Sequence, residues 1–342
     1  MKKYIFCVTT LLFLGLQFSC KNDSLSAEEN TRIAVDTLPE VSLPSPVIDS
    51  HPLFPDFILP DSLEKKMDPL HLWPIEVAPI LPGAILPRQR ILAFYGNLYS
   101  KGMGILGELP KEQMMAKLRQ EVKNWQAADT SRPVKPALHL VAITAQSKPG
   151  AGAMYRLRMP DKLIDTVIAW AAELDALVFL DVQVGHSTLQ QELPHLEKYL
   201  RMPQVHLGID PEFSMKTGHA PGKKVGVYDA TDINYAADYL EGLVKLYGLP
   251  PKVLVVHRFK THMVTNYKNI KKRSEVQIVM DMDGFGAPEL KKSTQYWCIY
   301  KEPVEYTGFK IFYKNDFRGK GRLMTPDEVL HLYPPPIYIQ YQ

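Results

Sequence analysis

The stretch VHLGIDPEF, residues 205–213, decides the fold. From Val205 to Ile209 it carries no charge, and then it stops abruptly at Asp210-Pro211-Glu212. An uncharged, mostly apolar run reads as a strand buried on both faces, which is the habit of parallel sheets. Pro211 has no N–H to give a ladder, so the strand is expected to end there. Two carboxylates at the end of a buried strand are costly unless something uses them.

Seven further runs share this character: Ile91–Tyr95, Ala137–Ala142, Leu177–Val184, Val253–His257, Val276–Asp281, Phe309–Tyr313 and Ile337–Tyr341. Helical periods lie between them. Residues 110–128 place Met114, Leu118, Val122 and Trp125 on one face, and residues 159–174 do the same with Leu163, Ile164, Val167 and Ala171. Further helices are expected over 187–200, 231–247, 262–272, 288–300 and 325–332. Eight strands alternating with helices over about 250 residues match a (β/α)8 TIM-like barrel. No glycine-rich phosphate loop follows the first strand, which weakens a dinucleotide-binding reading.

At 342 residues, 46% hydrophobic and 23% charged, the chain has the composition of a globular protein, which excludes bulk disorder. Forty basic residues face 37 acidic ones, a net charge of +3 that gives no reason to expect nucleic acid. Cys7, Cys20 and Cys298 are too few and too far apart for a disulfide framework or a cysteine metal site. Met1-Lys2-Lys3 followed by the apolar Tyr4–Leu16 and Phe18-Ser19-Cys20 resembles a bacterial lipoprotein signal, residues 1–19, with Cys20 lipidated. Gln17 departs from the small aliphatic usual three positions before that cysteine. The expected location is the cell envelope, anchored to a membrane through lipid. Residues 20–65, rich in Ser, Asp, Glu and Pro, read as a flexible tether. Residues 66–87 keep the prolines but interleave Leu70, Trp73, Val77 and Ile85, so they read as a strap packed on the barrel of residues 88–342. Because the last predicted strand reaches the end of the sequence, the strap is expected where an eighth helix would pack.

Active sites of such barrels sit at the C-terminal ends of the strands, so polar residues that end apolar runs are the informative ones. Tyr95 ends the first strand and His139 lies in the second. Asp181 and Gln183 end the third, Asp210 and Glu212 the fourth, His257 the fifth, Asp281 and Asp283 the sixth. Lys310 and Tyr313 lie on the seventh. Residues i and i+2 of a strand share a face, so the three i,i+2 pairs would each aim two polar groups at one mouth. Each has a plainer reading: Asp181 bonding backbone, Asp210 bracing a loop, Asp283 opening a turn before Gly284, the histidines satisfied in the interior.

The motifs FYG (94–96), PALHL (136–140), LDVQVG (180–185), HLGIDPEF (206–213), PPKVLVVHRF (250–259), DMDGFG (281–286) and GFKIFYKND (308–316) resemble a bacterial secreted or lipoprotein group with a glycosidase-like TIM barrel. The resemblance spans residues 88–342; it implies the barrel and the importance of these strand ends, and supplies no reaction.

Three functions compete. The first is an exported carbohydrate-active hydrolase, with Glu212 as general acid and Asp210, Asp181 or Asp283 as its carboxylate partner. Tyr95, His139, Gln183, His257, Asp281, Lys310 and Tyr313 would bind a glycan or cell-envelope polysaccharide. Two carboxyls suffice for this chemistry, about 5–5.5 Å apart for retention and about 6.5–9.5 Å for inversion. It requires neither cofactor nor metal, and a monomer is expected. The second is an envelope barrel that binds a glycan or partner without turnover. The third is a metal-dependent hydrolase built on Asp181, Asp210, Glu212, His257 and Asp281, although no HxH or HExxH pair is present.

Overall fold

In the computed structural model, Asp68, residues 70–319 and residues 321–342 are described. The signal segment with Cys20 and the tether lie outside them. Eight parallel strands pair in chain order: β1 (Arg90–Gly96), β2 (Val134–Ala145), β3 (Leu177–Val182), β4 (Val205–Ile209), β5 (Lys252–Arg258), β6 (Val276–Met282), β7 (Tyr306–Ile311) and β8 (Tyr338–Tyr341). Pairing of β8 with β1 closes them into a barrel. The expected TIM-like fold is therefore the observed one.

Alternation along β3 shows how the wall is built. Leu177 and Phe179 pack into the barrel interior, while Val178, Leu180 and Val182 pack under the outer helices. Burial on both faces explains the unbroken apolar run, each large side chain contributing about 1.5–3 kcal/mol. The outer layer comprises α1 (Lys111–Ala128), α2 (Asp161–Ala172), α3 (Leu189–Leu200), α4 (Ala230–Tyr247), α5 (Pro288–Gln295) and α6 (Pro326–Leu330). A capping box of Asp229 and Asp232 starts α4, and Gly248 ends it in the left-handed region. No helix among the described residues is long and apolar enough to cross a membrane.

Three expectations need correction. Residues 262–272 are not a helix but two 3-10 turns around Val264–Thr265, which pair with Tyr228–Asp229. Asp229 accepts from Thr265 Oγ1 at 2.7 Å and from Asn266 Nδ2 at 2.6 Å, and these bonds outweigh the helical pattern. The seventh strand begins at Tyr306 and stops at Ile311, before Tyr313. Gly308 hides its start: a Cβ there would lie 2.5 Å from Asp281 Oδ1, so the position must stay bare. Finally, the strap does not stand in for a helix. Leu86, with Ile85 and Val77, packs on the interior cluster of Ile91, Leu177, Val253 and Tyr306, which lies at the N-terminal end of the barrel. Gln277 on β6 accepts the Ile85 and Leu86 N–H groups at 3.2 and 3.0 Å, and its Nε2 donates to the Leu86 carbonyl at 2.6 Å. The strap thus closes the bottom of the barrel.

Candidate active site

The barrel interior changes character from bottom to top. Above the apolar plug, β1, β2, β3, β5, β6, β7 and β8 aim Tyr95, His139, Asp181, His257, Asp281, Lys310 and Gln340 at one another. All seven are buried. His257 lies between carboxylates: its Nε2 is 3.5 Å from Asp181 Oδ1, and its Nδ1 is 3.3 Å from both Asp281 Oδ2 and Asp283 Oδ2. Burial alone would keep this imidazole neutral, but the charges of Asp181 and the two other carboxyls outweigh it and raise its pKa well above the usual value. His139 is opposite in character. Burial lowers it to about 4, against the raising effect of Asp181, and its Nδ1 is 2.6 Å from the Tyr338 hydroxyl. The Tyr95 hydroxyl donates to Asp181 Oδ2 at 3.1 Å.

Over this layer opens a cavity of about 640 Å3, which includes Tyr95, Gln183, Asp210, Glu212, Asp283 and Lys310 in its lining. Phe213, Phe259, Phe285 and Phe312 supply apolar walls. β4 ends at Ile209, and Pro211–Phe213 form a 3-10 turn capped by Asp210. Glu212 therefore reaches the cavity from a turn and not by strand alternation. Asp210 braces that turn: its Oδ1 accepts the Glu212 N–H at 3.0 Å and its Oδ2 accepts from Gln183 Nε2 at 3.2 Å. Burial pushes the Asp210 carboxyl well up.

Glu212 and Asp283 differ sharply although they share one cavity. Desolvation, reinforced by the charge of Asp283, raises Glu212 to about 7, against the opposing charges of Lys310, His257 and Lys260. No described residue hydrogen-bonds its carboxylate. Asp283 is pushed up by burial, but the charge of Lys310 and the contact with His257 outweigh that and hold it below the usual range. Lys310 Nζ lies 3.0 Å from Asp283 Oδ1 and 3.9 Å from the centre of the Tyr95 ring. The result is one carboxyl poised near neutrality beside one kept ionised, the division of roles that acid–base chemistry needs.

Rigid loops hold the mouth. Lys291, fully buried, donates to Asp316 Oδ2 at 2.9 Å, to the Lys310 carbonyl at 2.7 Å and to the Gly284 carbonyl at 3.0 Å. This buried pair ties the loop after β6, which carries Asp283, to the end of β7, which carries Lys310. Arg258 ends β5 and bonds the carbonyls of Lys260, Thr261 and Cys298 and the carboxylate of Glu302. Arg156 and Arg158 grip buried Glu192 of α3 at 2.8 and 2.7 Å, fixing the long loop after β2.

Of the residues marked in the sequence, Tyr95, Gln183, Asp210, Glu212, Asp283 and Lys310 line the cavity, and His139, Asp181, His257 and Asp281 form the layer beneath. Tyr313 does not join them. It lies beyond β7 on the outer side of the wall, stacked on Tyr341 and donating to Glu121 of α1 at 2.8 Å. Three positions past the inward Lys310, it falls on the opposite face, as Ile311 does, while Phe312 lines the cavity. Sequence reading passed over Tyr338 and Gln340, although they form an i,i+2 polar pair on β8 like those on β3 and β6. It also passed over Lys260, Lys291 and the four phenylalanines, for which no strand-end signal exists. No family model matches the chain, and no curated protein sequence matches it.

Proposed function

We propose that the barrel is a carbohydrate-active hydrolase of the glycoside-hydrolase kind, with Glu212 as general acid and Asp283 as its ionised partner. The observation that carries this reading is the divided pair: Glu212, unbonded and raised to about 7, in the same cavity as Asp283, held ionised by Lys310 at 3.0 Å. In a glycoside cleavage the protonated Glu212 would give its proton to the leaving oxygen, and Asp283 would either attack the anomeric carbon or activate water. Asp210, whose two oxygens are both engaged, and Asp181, sealed beneath Tyr95, serve as supports for this pair. Gln183, Lys310 and the apolar walls would orient a sugar ring, whose faces are apolar and whose rim is polar. The lipoprotein-like N-terminus with Cys20 fits an enzyme anchored at the cell envelope, with an envelope polysaccharide as substrate.

The test is turnover of a panel of envelope glycans and aryl glycosides by wild type, Glu212→Gln and Asp283→Asn. The reading expects wild-type release of new reducing ends, loss of release in both variants, and glycan binding retained in Glu212→Gln. Binding by all three proteins with no release by any would point to a non-catalytic glycan receptor instead.

A further inference from the structure

We infer that the centre of the barrel, beneath the cavity, is a divalent-metal site of the zinc class, with His139 Nε2, Asp181 Oδ1 and His257 Nε2 as its protein ligands. Asp181 Oδ1 lies 3.6 Å from His139 Nε2 and 3.5 Å from His257 Nε2, and the three residues offer ligand atoms that all lie within 4.8 Å of one another. All three side chains are fully buried, yet none of these atoms has a hydrogen-bond partner. Charge-assisted N–H···O bonds would draw the groups to about 2.7–2.9 Å. Ligands held about 2.1 Å from a tetrahedral ion stand about 3.4 Å apart, which is close to the spacing seen.

Three further observations agree. Metal-bound histidines present their other ring nitrogen to a polar partner that fixes the ring. Here His139 Nδ1 is 2.6 Å from the Tyr338 hydroxyl; His257 Nδ1 makes no hydrogen bond but has the carboxylates of Asp281 and Asp283 in ion-pair contact at 3.3 Å. The wall is bare where the ligand atoms point. A Cβ on Gly208 would lie 2.5 Å from His139 Nε2 and 2.6 Å from Asp181 Oδ1, so only glycine leaves this space. Carboxylates also gather here: Asp181 Oδ1 lies 3.6 and 3.5 Å from the two imidazoles, and Asp281 and Asp283 each lie 3.3 Å from His257. Two imidazoles and one carboxylate suit zinc and its first-row neighbours, whereas calcium and magnesium take oxygen ligands throughout. The Tyr95 hydroxyl sits on the second oxygen of Asp181, so a bound ion would set the floor of the cavity. This inference uses none of the chemistry assigned to Glu212; Asp283, the ionised partner in the hydrolase reading, touches the site only through His257 Nδ1.

Purified full-length protein, stripped with a chelator, is titrated with zinc chloride by calorimetry and with cobalt(II) by visible absorption. About one equivalent of zinc is expected per chain, together with the intense absorption of four-coordinate cobalt. His257→Gln and Gly208→Ala should abolish binding. Tyr338→Phe, which keeps all three ligands, should weaken it by roughly 10-fold, and Glu212→Gln should bind as wild type does. Wild-type protein that is folded by circular dichroism but takes up neither ion overturns the inference, as does a His257→Gln variant that binds zinc as tightly as wild type.

Discussion

Replacing Glu212 by Gln tests the electrostatics of the cavity without requiring a substrate. Glutamine keeps the shape of the protonated acid and cannot ionise. In the folded protein the Glu212 carboxyl is raised from 4.5 to about 7 by desolvation and by Asp283. A raised acid favours the folded state while protonated, so its contribution is complete below pH 4.5 and is lost as pH climbs through about 7. At roughly 1.4 kcal/mol per pH unit, that rise caps the loss at about 3.5 kcal/mol. Partial exposure to solvent lowers the expected value to about 1–3 kcal/mol. Urea unfolding of both proteins should therefore give equal stabilities near pH 4 and a variant more stable by about 1–3 kcal/mol near pH 8, with unchanged denaturant slopes. A difference of the same size at both pH values, or a variant less stable at the higher pH, would refute the reasoning.

Lys310→Met should destabilise by about 3–5 kcal/mol near pH 8 in denaturant unfolding, because Asp283 would lose the cation 3.0 Å away and remain buried. The proposed glycoside cleavage should slow as pH rises through about 7, as Glu212 gives up its proton. Lys260→Met, which removes one of the three cations facing that carboxyl, should move the falling limb of the rate profile to higher pH. Leu86→Ala, which opens the plug at the bottom of the barrel, should cost about 2–5 kcal/mol in the same unfolding assay. A loss below 1 kcal/mol there, on the order of a surface substitution, would mean the strap does not close the barrel.

The barrel was legible because strands buried on both faces have no reason to alternate, so β3, β4 and β5 announce themselves as apolar runs. The strand that was misplaced, β7, is the one whose first half is Tyr306-Thr307-Gly308, where close approach to Asp281 demands a glycine. Polar strand ends were equally plain: Asp181, His257 and Asp281 point inward because alternation compels it. Alternation also puts Tyr313, three positions past Lys310, on the opposite face against α1, whereas Glu212 reaches the cavity only through the turn at Pro211. The Lys291–Asp316 pair left no local signature. A buried lysine on a short helix is indistinguishable in sequence from a solvated one until its partner, 25 positions away, is known. The same holds for residues 262–272, whose helical spacing is overruled by side chains bonding Asp229.

The most direct test of the assigned roles is the dependence of rate on leaving group. For any glycoside the wild-type protein cleaves, rates of Glu212→Gln are measured on aryl leaving groups ranging from phenol to dinitrophenol. A general acid is needed only where the leaving oxygen is basic. The phenyl glycoside should therefore slow by about 10²–10⁴-fold, while the dinitrophenyl glycoside stays close to the wild-type rate. Equal slowing across the whole series would contradict the role of Glu212 as the proton donor.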